Sequence, residues 1–190
     1  MNAAFIVGNG TSRQNMDLEE LAGSTPIYAC NAFYRTQAPD YRIPAFLVAI
    51  DDGIIQEIME SDFPKERVII PPLEERWEPA ECNPARPRSN AGINAMMEAI
   101  RSGHDHLYCF GFDFLILDQT KSVSNIYDGS KNYGPETKAN WLDNTGRARY
   151  LKWLANKCPS VKFTFVYPKE YSGMRVLPLD CNNIAIGFLE

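Results

Sequence analysis

Residues 2–12 read NAAFIVGNGTS, a short apolar run that ends abruptly in a loop of glycine and hydroxyl residues. A continuous apolar run bounded by turn residues fits a strand buried on both faces in a parallel sheet, so Ala3 to Val7 predicts such a strand. In the loop, Gly8 and Gly10 open backbone angles closed to other residues and let a ligand approach the main chain, with Asn9 between them. Thr11 and Ser12 are good caps for a helix expected from about Arg13 to Ala22, whose N-terminus would attract an anion. The full dinucleotide fingerprint needs a third glycine and a later acidic residue, so a bare strand-to-helix turn remains the equal alternative here.

Working outward, Ile27 to Cys30 predicts a second strand. It delivers Asn31 to the strand's C-terminal end beside the glycine loop, the edge where open α/β sheets bind ligands, although asparagine there also serves simply as a turn former. A third strand, Ala45 to Ile50, ends in Asp51-Asp52-Gly53 before a helix over 54–61. Two carboxylates at a strand end suit a divalent metal, a sugar hydroxyl or a helix cap, and the cap is the expected role of Asp52. Arg67 to Ile70 predicts a fourth strand. Five prolines between 71 and 87 then make regular structure improbable. Arg88-Ser89-Asn90-Ala91-Gly92 leads into a helix over 93–100, where the arginine and the helix start together favour an anion.

Gly103 closes that helix, and His104-Asp105-His106 reads as a connector with ordinary surface roles, since no further ligands complete a metal site nearby. The next strand, Leu107 to Phe112, brings Asp113 to the same sheet edge. Residues 118–143 form a long polar stretch that reads as a lid-like loop. Its Tyr127 and Tyr133 either close over a phosphate or sugar or pack the loop down. A helix over 147–157 and a strand over 161–167 follow. The apolar tail, 172–190, fits a further strand or the cover of a neighbouring subunit.

The chain has 190 residues, 45% apolar and 23% charged, the balance of an ordered globular protein expected to form one α/β domain. A net charge of -5 argues against nucleic acid as a main partner. No apolar run of about 18 residues predicts a spanning helix, and the N-terminus lacks a signal-peptide pattern, so a cytoplasmic location is expected. Five cysteines, odd in number and without a CxxC pair, indicate neither a disulfide framework nor a zinc site.

FIVGNGTS at 5–12, YACNAFYR at 28–35 and RSNAG at 88–92, whose helix runs on to SGHDHLYCFGFDF at 102–114, resemble in order and separation the bacterial lipooligosaccharide sialyltransferases that use CMP-sialic acid. The resemblance extends more loosely to Tyr167. It implies a Rossmann-like, GT-A-like nucleotide-binding domain with a mostly parallel sheet and a CMP-sugar donor across the C-terminal strand ends. It further implies that Gly8, Asn9, Gly10 and Asn31 contact the nucleotide; Thr11, Ser12 and Asp113, which the strand ends bring to the same edge, join them as candidate binding residues. Arg88, Ser89, Asn90, Ala91 and Gly92 would line the site, and Tyr127 and Tyr133 would hold the donor phosphate. The scheme needs no cofactor and no metal, and family members often assemble as oligomers.

Two departures qualify the implied chemistry. The family's general base is a histidine shortly before the last helix, and here that neighbourhood reads Asn140-Trp141-Leu142-Asp143, leaving Asp143 as the candidate carboxylate base. Asp51 stands where the family has an asparagine, and its charge disfavours an anionic sugar. The expected function is therefore transfer of a sugar from a CMP-sugar to a hydroxyl acceptor. The alternatives are a nucleotide- or sugar-binding protein without turnover, favoured by the missing histidine, and a metal-dependent transferase using Asp51 and Asp52.

Overall fold

The computed structural model describes residues 2–37, 40, 42–117 and 124–189. Its strands are β1 (Ala3–Val7), β2 (Ile27–Cys30), β3 (Ala45–Val48), β4 (Val68–Ile69), β5 (His106–Phe110), β6 (Lys162–Tyr167) and β7 (Ile184–Phe188). They form one seven-stranded sheet in the order β4-β3-β2-β1-β5-β6-β7. Every pairing is parallel. Helices α1 (Leu18–Ala22), α2 (Asp52–Glu60), α3 (Ala91–Arg101) and α4 (Trp141–Lys157) flank it. This is the Rossmann-like α/β architecture that the buried apolar strands predict.

The chain winds outward from β1 to β4, then returns along α3 and adds β5 to β7 on the other side of β1. Right-handed crossovers running in opposite directions leave their helices on opposite faces of a sheet. On one face Leu18 of α1 and Ile54 and Ile58 of α2 pack with Val7, Ala29, Leu47 and Phe110. On the other, Ile93 and Met96 of α3 and Leu151 and Leu154 of α4 pack with Ala4, Ile6, Leu107 and Phe163. The strand order reverses between β1 and β5, where Val7 pairs with Phe110, and loops leaving such a point diverge into a crevice.

Several local expectations change. In place of a helix over 13–22 there is a single 3-10 turn, Thr11–Arg13, and then α1, started by Asp17, whose carboxylate accepts from the Glu20 N–H. Helix α4 begins six residues earlier than expected, at Trp141, because Asn140 and Asp143 form a capping box. The tail supplies β7, which pairs with β6. His104 and His106 are buried, not surface connectors. His104 packs edge-on against Tyr28, while His106 belongs to β5, stacks on Tyr108 and meets the Thr164 hydroxyl at 2.9 Å. Residues 118–123 of the expected lid lie outside the described residues. Among the described residues no helix is long and apolar enough to cross a membrane.

Candidate functional site

At the crevice, the two strand-end loops meet so closely that side chains are excluded. Gly8 donates to the Phe110 carbonyl at 2.8 Å and Gly10 to the Gly111 carbonyl at 2.9 Å. A Cβ on Gly8 would lie 2.6 Å from the Gly111 oxygen, and one on Gly10 2.5 Å from the Asp113 carboxyl carbon. Gly111 itself has φ 72, a backbone conformation that favours glycine. The glycines of the first loop are thus used by the protein's own atoms, for close approach of β1 to β5.

Asp113 explains why Thr11 and Ser12 do not cap a long helix. Its carboxylate accepts the Ser12 N–H at 3.0 Å, the Ser12 hydroxyl, and the Thr11 hydroxyl at 3.4 Å. Burial pushes the Asp113 carboxyl above the usual range, against the pull of these donors and of the Arg13 charge. The turn that was expected to attract an external anion is occupied by an internal one. Arg13, also buried, donates to the Gly8 carbonyl and to Asn9 Oδ1 at 3.1 Å, and lies over the Phe33 ring. Asn9 in turn donates to the Cys30 carbonyl at 3.1 Å, tying the end of β1 to the end of β2.

Asn31, immediately after β2, has φ 51. Its amide nitrogen donates to Asp51 Oδ2 at 3.1 Å, and its Oδ1 is buried without a hydrogen-bond partner. Asp51 occupies the N-cap position of α2 but does not cap it, because its carboxylate turns to Asn31 and to Arg88 Nε at 3.6 Å. Asp52 also makes no cap and pairs outward with Arg76 at 3.1 Å, so the two carboxylates diverge. Among the described residues no three His, Cys, Asp or Glu side chains gather as metal ligands would. Arg88 does not wait at a helix start: it donates to the Ile50 carbonyl and stacks over Trp77. The α3 N-terminus is closed by Asn90, which accepts from the Gly92 and Ile93 N–H groups. Ser89 donates to Asn94, Ala91 packs with Cys30 and Ile50, and Gly92 abuts the Phe112 ring.

The described part of the long loop is clasped to this edge. Ile126 donates to the Asn9 carbonyl, Arg35 reaches Ser130 and the Lys131 carbonyl, and Glu57 binds both Arg35 and Asn132. The Tyr127 and Tyr133 rings meet at 5.7 Å beneath the Arg35 guanidinium. The Tyr127 hydroxyl faces Arg13 at 3.4 Å. That of Tyr133 is buried against the Ala32 amide without a well-formed hydrogen bond, and desolvation pushes its pKa up. Both tyrosines pack the loop down.

The cleft left open between these parts and α4 has a volume of about 780 Å³. Gly8, Asn9, Gly10, Asn31, Asp51 and Asp113 line it, as do Arg88 to Gly92, Tyr133 and Asp143. Thr11, Ser12 and Tyr127 do not, being turned into the Asp113 latch or packed behind the cleft. Asp143 is exposed and accepts the Asn140 N–H at 2.9 Å as part of the capping box. Burial pushes the Cys30 thiol up to about 12, so it stays protonated and is no nucleophile.

The cleft also contains charged residues that pattern reading passes over. Glu78 is buried, its pKa raised by desolvation, and it accepts from Asn83 at 3.2 Å. Arg147 reaches in from α4 and hydrogen-bonds Asn144 at 3.2 Å. Neither carries a local sequence signal, because a single acid in a proline-rich loop or a single arginine on a helix reads as solvated surface. Comparison with family models, with curated proteins and with solved structures gives no match.

Proposed function

We propose that the chain is a glycosyltransferase of the sialyltransferase type, which binds a CMP-sugar over the C-terminal ends of β1, β2 and β3 and transfers the sugar to an acceptor hydroxyl. The observation that carries the reading is Asn31. It holds a left-handed backbone conformation at the sheet edge and leaves a buried amide oxygen without a donor. Left-handed strain and an unsatisfied buried acceptor persist together where a ligand supplies what is missing, and an amino or hydroxyl group of a nucleoside is such a donor. The resemblance of the blocks at 5–12, 28–35 and 88–92 to the sialyltransferases supports the cytidine nucleotide in particular.

Transfer is a direct displacement. The acceptor oxygen attacks the anomeric carbon, the bond from that carbon to the phosphate oxygen breaks, and CMP leaves while Asp143 takes the acceptor's proton. Positively charged groups at the cleft meet the charge that develops on the phosphate. A second reading, binding without turnover, is favoured by one observation: the Asp143 carboxylate already serves the capping box of α4.

Calorimetric titration with CMP, UDP, GDP and AMP, with and without magnesium, tests the proposal. The expected result is preferential, metal-independent binding of CMP that is lost in Asn31→Ala. Binding of no nucleotide refutes both readings. CMP binding with no release of sugar from CMP-sugars in the presence of hydroxyl acceptors selects the second.

A further inference from the structure

We propose that Arg147 is the anion-binding residue of the cleft and grips a phosphate oxygen of the bound ligand, an assignment that rests on the nucleotide-sugar reading above. Most other places where a phosphate would be met are taken by the protein itself; the exposed Arg149, whose charge acts on Glu78, and the uncapped N-terminus of α2, beside the Asp51 and Asp52 carboxylates, also border the cleft. The turn after β1 gives its Ser12 N–H and two hydroxyls to Asp113. The N-termini of α3 and α4 are closed by Asn90 and by the Asn140–Asp143 box. Arg88 is committed to the Ile50 carbonyl, to Asp51 and to the Trp77 ring, and Lys138 pairs with Asp128 at 3.5 Å.

Arg147 differs from the groups so committed. It lines the cleft, forms no ion pair among the described residues, and makes its one hydrogen bond among them to the neutral Asn144 side chain. Gly146, beside it on α4, presents no side chain to the cleft. Burial disfavours its charge and lowers its pKa, while the charges of Asp143 and Asp51 act on it from a distance and raise it. A guanidinium carries donors in a planar fork suited to two phosphate oxygens, and one partly buried at the cleft wall, with no bound carboxylate among the described residues, has those donors to offer. The same cation offsets the negative charge of Asp51 near an anionic sugar.

The decisive comparison is CMP against cytidine, titrated calorimetrically into the wild type, Arg147→Met and Arg147→Lys, together with the melting temperature of each unliganded protein. Methionine keeps much of the packing volume and removes the charge. In the wild type CMP should bind about 10- to 100-fold more tightly than cytidine, the range expected of a charge-assisted contact. Arg147→Met should abolish that advantage and leave cytidine binding unchanged, with the lysine variant intermediate. Its melting temperature should hold or rise, because a desolvated charge without an ion pair has been removed. An unchanged CMP-to-cytidine ratio in Arg147→Met overturns the proposal. So does a fall in its unliganded melting temperature of more than about 5 °C, which assigns Arg147 a structural role. If the wild type binds neither compound, the nucleotide reading fails. Inorganic phosphate then decides the anion site: thermal protection present in the wild type and absent in Arg147→Met retains it, and equal or no protection removes it.

Discussion

Asp113→Asn should loosen the end of β1 and the end of β5 together, because one carboxylate holds both. The substitution keeps the shape and removes the charge that receives the Ser12 N–H, the Ser12 hydroxyl and the Thr11 hydroxyl. An amide has one acceptor oxygen, so at least one of those donors must turn to an NH2 group. Hydrogen bonds to a charged group contribute about 1.5–3 kcal/mol each. The longest, from Thr11, is the weakest, and burial outweighs what these donors give to the charge, so the loss is that of a donor left unpaired rather than of charge-assisted bonds. A net loss of about 1–3 kcal/mol follows, or roughly 2–12 °C in melting temperature for a chain of this size.

The pH dependence gives a second reading of the same contact. The folded Asp113 carboxyl titrates above its unfolded value, so the folded state binds more protons in the window between the two. The contribution is fully present below the ordinary value of about 3.9 and is lost as pH rises through the raised folded value. Thermal melts of both proteins from acidic to neutral pH should therefore show a gap that narrows with rising pH. A variant that melts within about 1 °C of the wild type, or a gap that widens as pH rises, refutes the latch as described.

Other substitutions probe neighbouring contacts. Gly8→Ala places a methyl 2.6 Å from the Gly111 carbonyl oxygen, where only backbone can yield, and should lower stability in a urea titration by about 2 kcal/mol or more; a loss under about 0.5 kcal/mol contradicts the close approach. Asp143→Ala breaks the capping box and should lower stability by about 1 kcal/mol, whereas Asp143→Glu with unchanged stability shows that the box does not depend on that geometry. For His106, burial first and the Lys162 charge second hold the pKa below the ordinary value, with Asp105 opposing. Its stabilising contribution is present above about pH 6.5 and is lost as pH falls toward the folded value, so His106→Gln should flatten the melting curve's decline below that pH.

Most strands are legible in the sequence because a strand buried in a parallel sheet is apolar through its length, as β1, β2 and β3 are and as β5 is from Leu107 on, while β6 shows itself by the alternation of Phe163 and Phe165 with Lys162 and Thr164. The helix after β1 was not, because the preference of Thr11 and Ser12 for helix caps is a local rule. Their partner, Asp113, lies about a hundred residues away and overrides it. The Asn140–Asp143 box is the opposite case. Its Asn-x-x-acid spacing is a readable helix start, although the same carboxylate also reads as a candidate base.

The candidate site divides along the same line. Residues at strand ends, such as Asn31 and Asp51, were findable because a parallel sheet sends every strand's C-terminal end to one edge. Arg35, Arg13 and Arg147 were not, since what an arginine does depends on which acidic group or carbonyl folding brings to it. Arg35 receives Glu57 and clasps the long loop; Arg13 receives the Gly8 carbonyl and Asn9 and braces the first turn. Arg147 is brought to the same crevice and receives only a neutral side chain among the described residues. A partly buried cation at the cleft, without an ion pair among the described residues, suits a group kept for a ligand rather than for the fold.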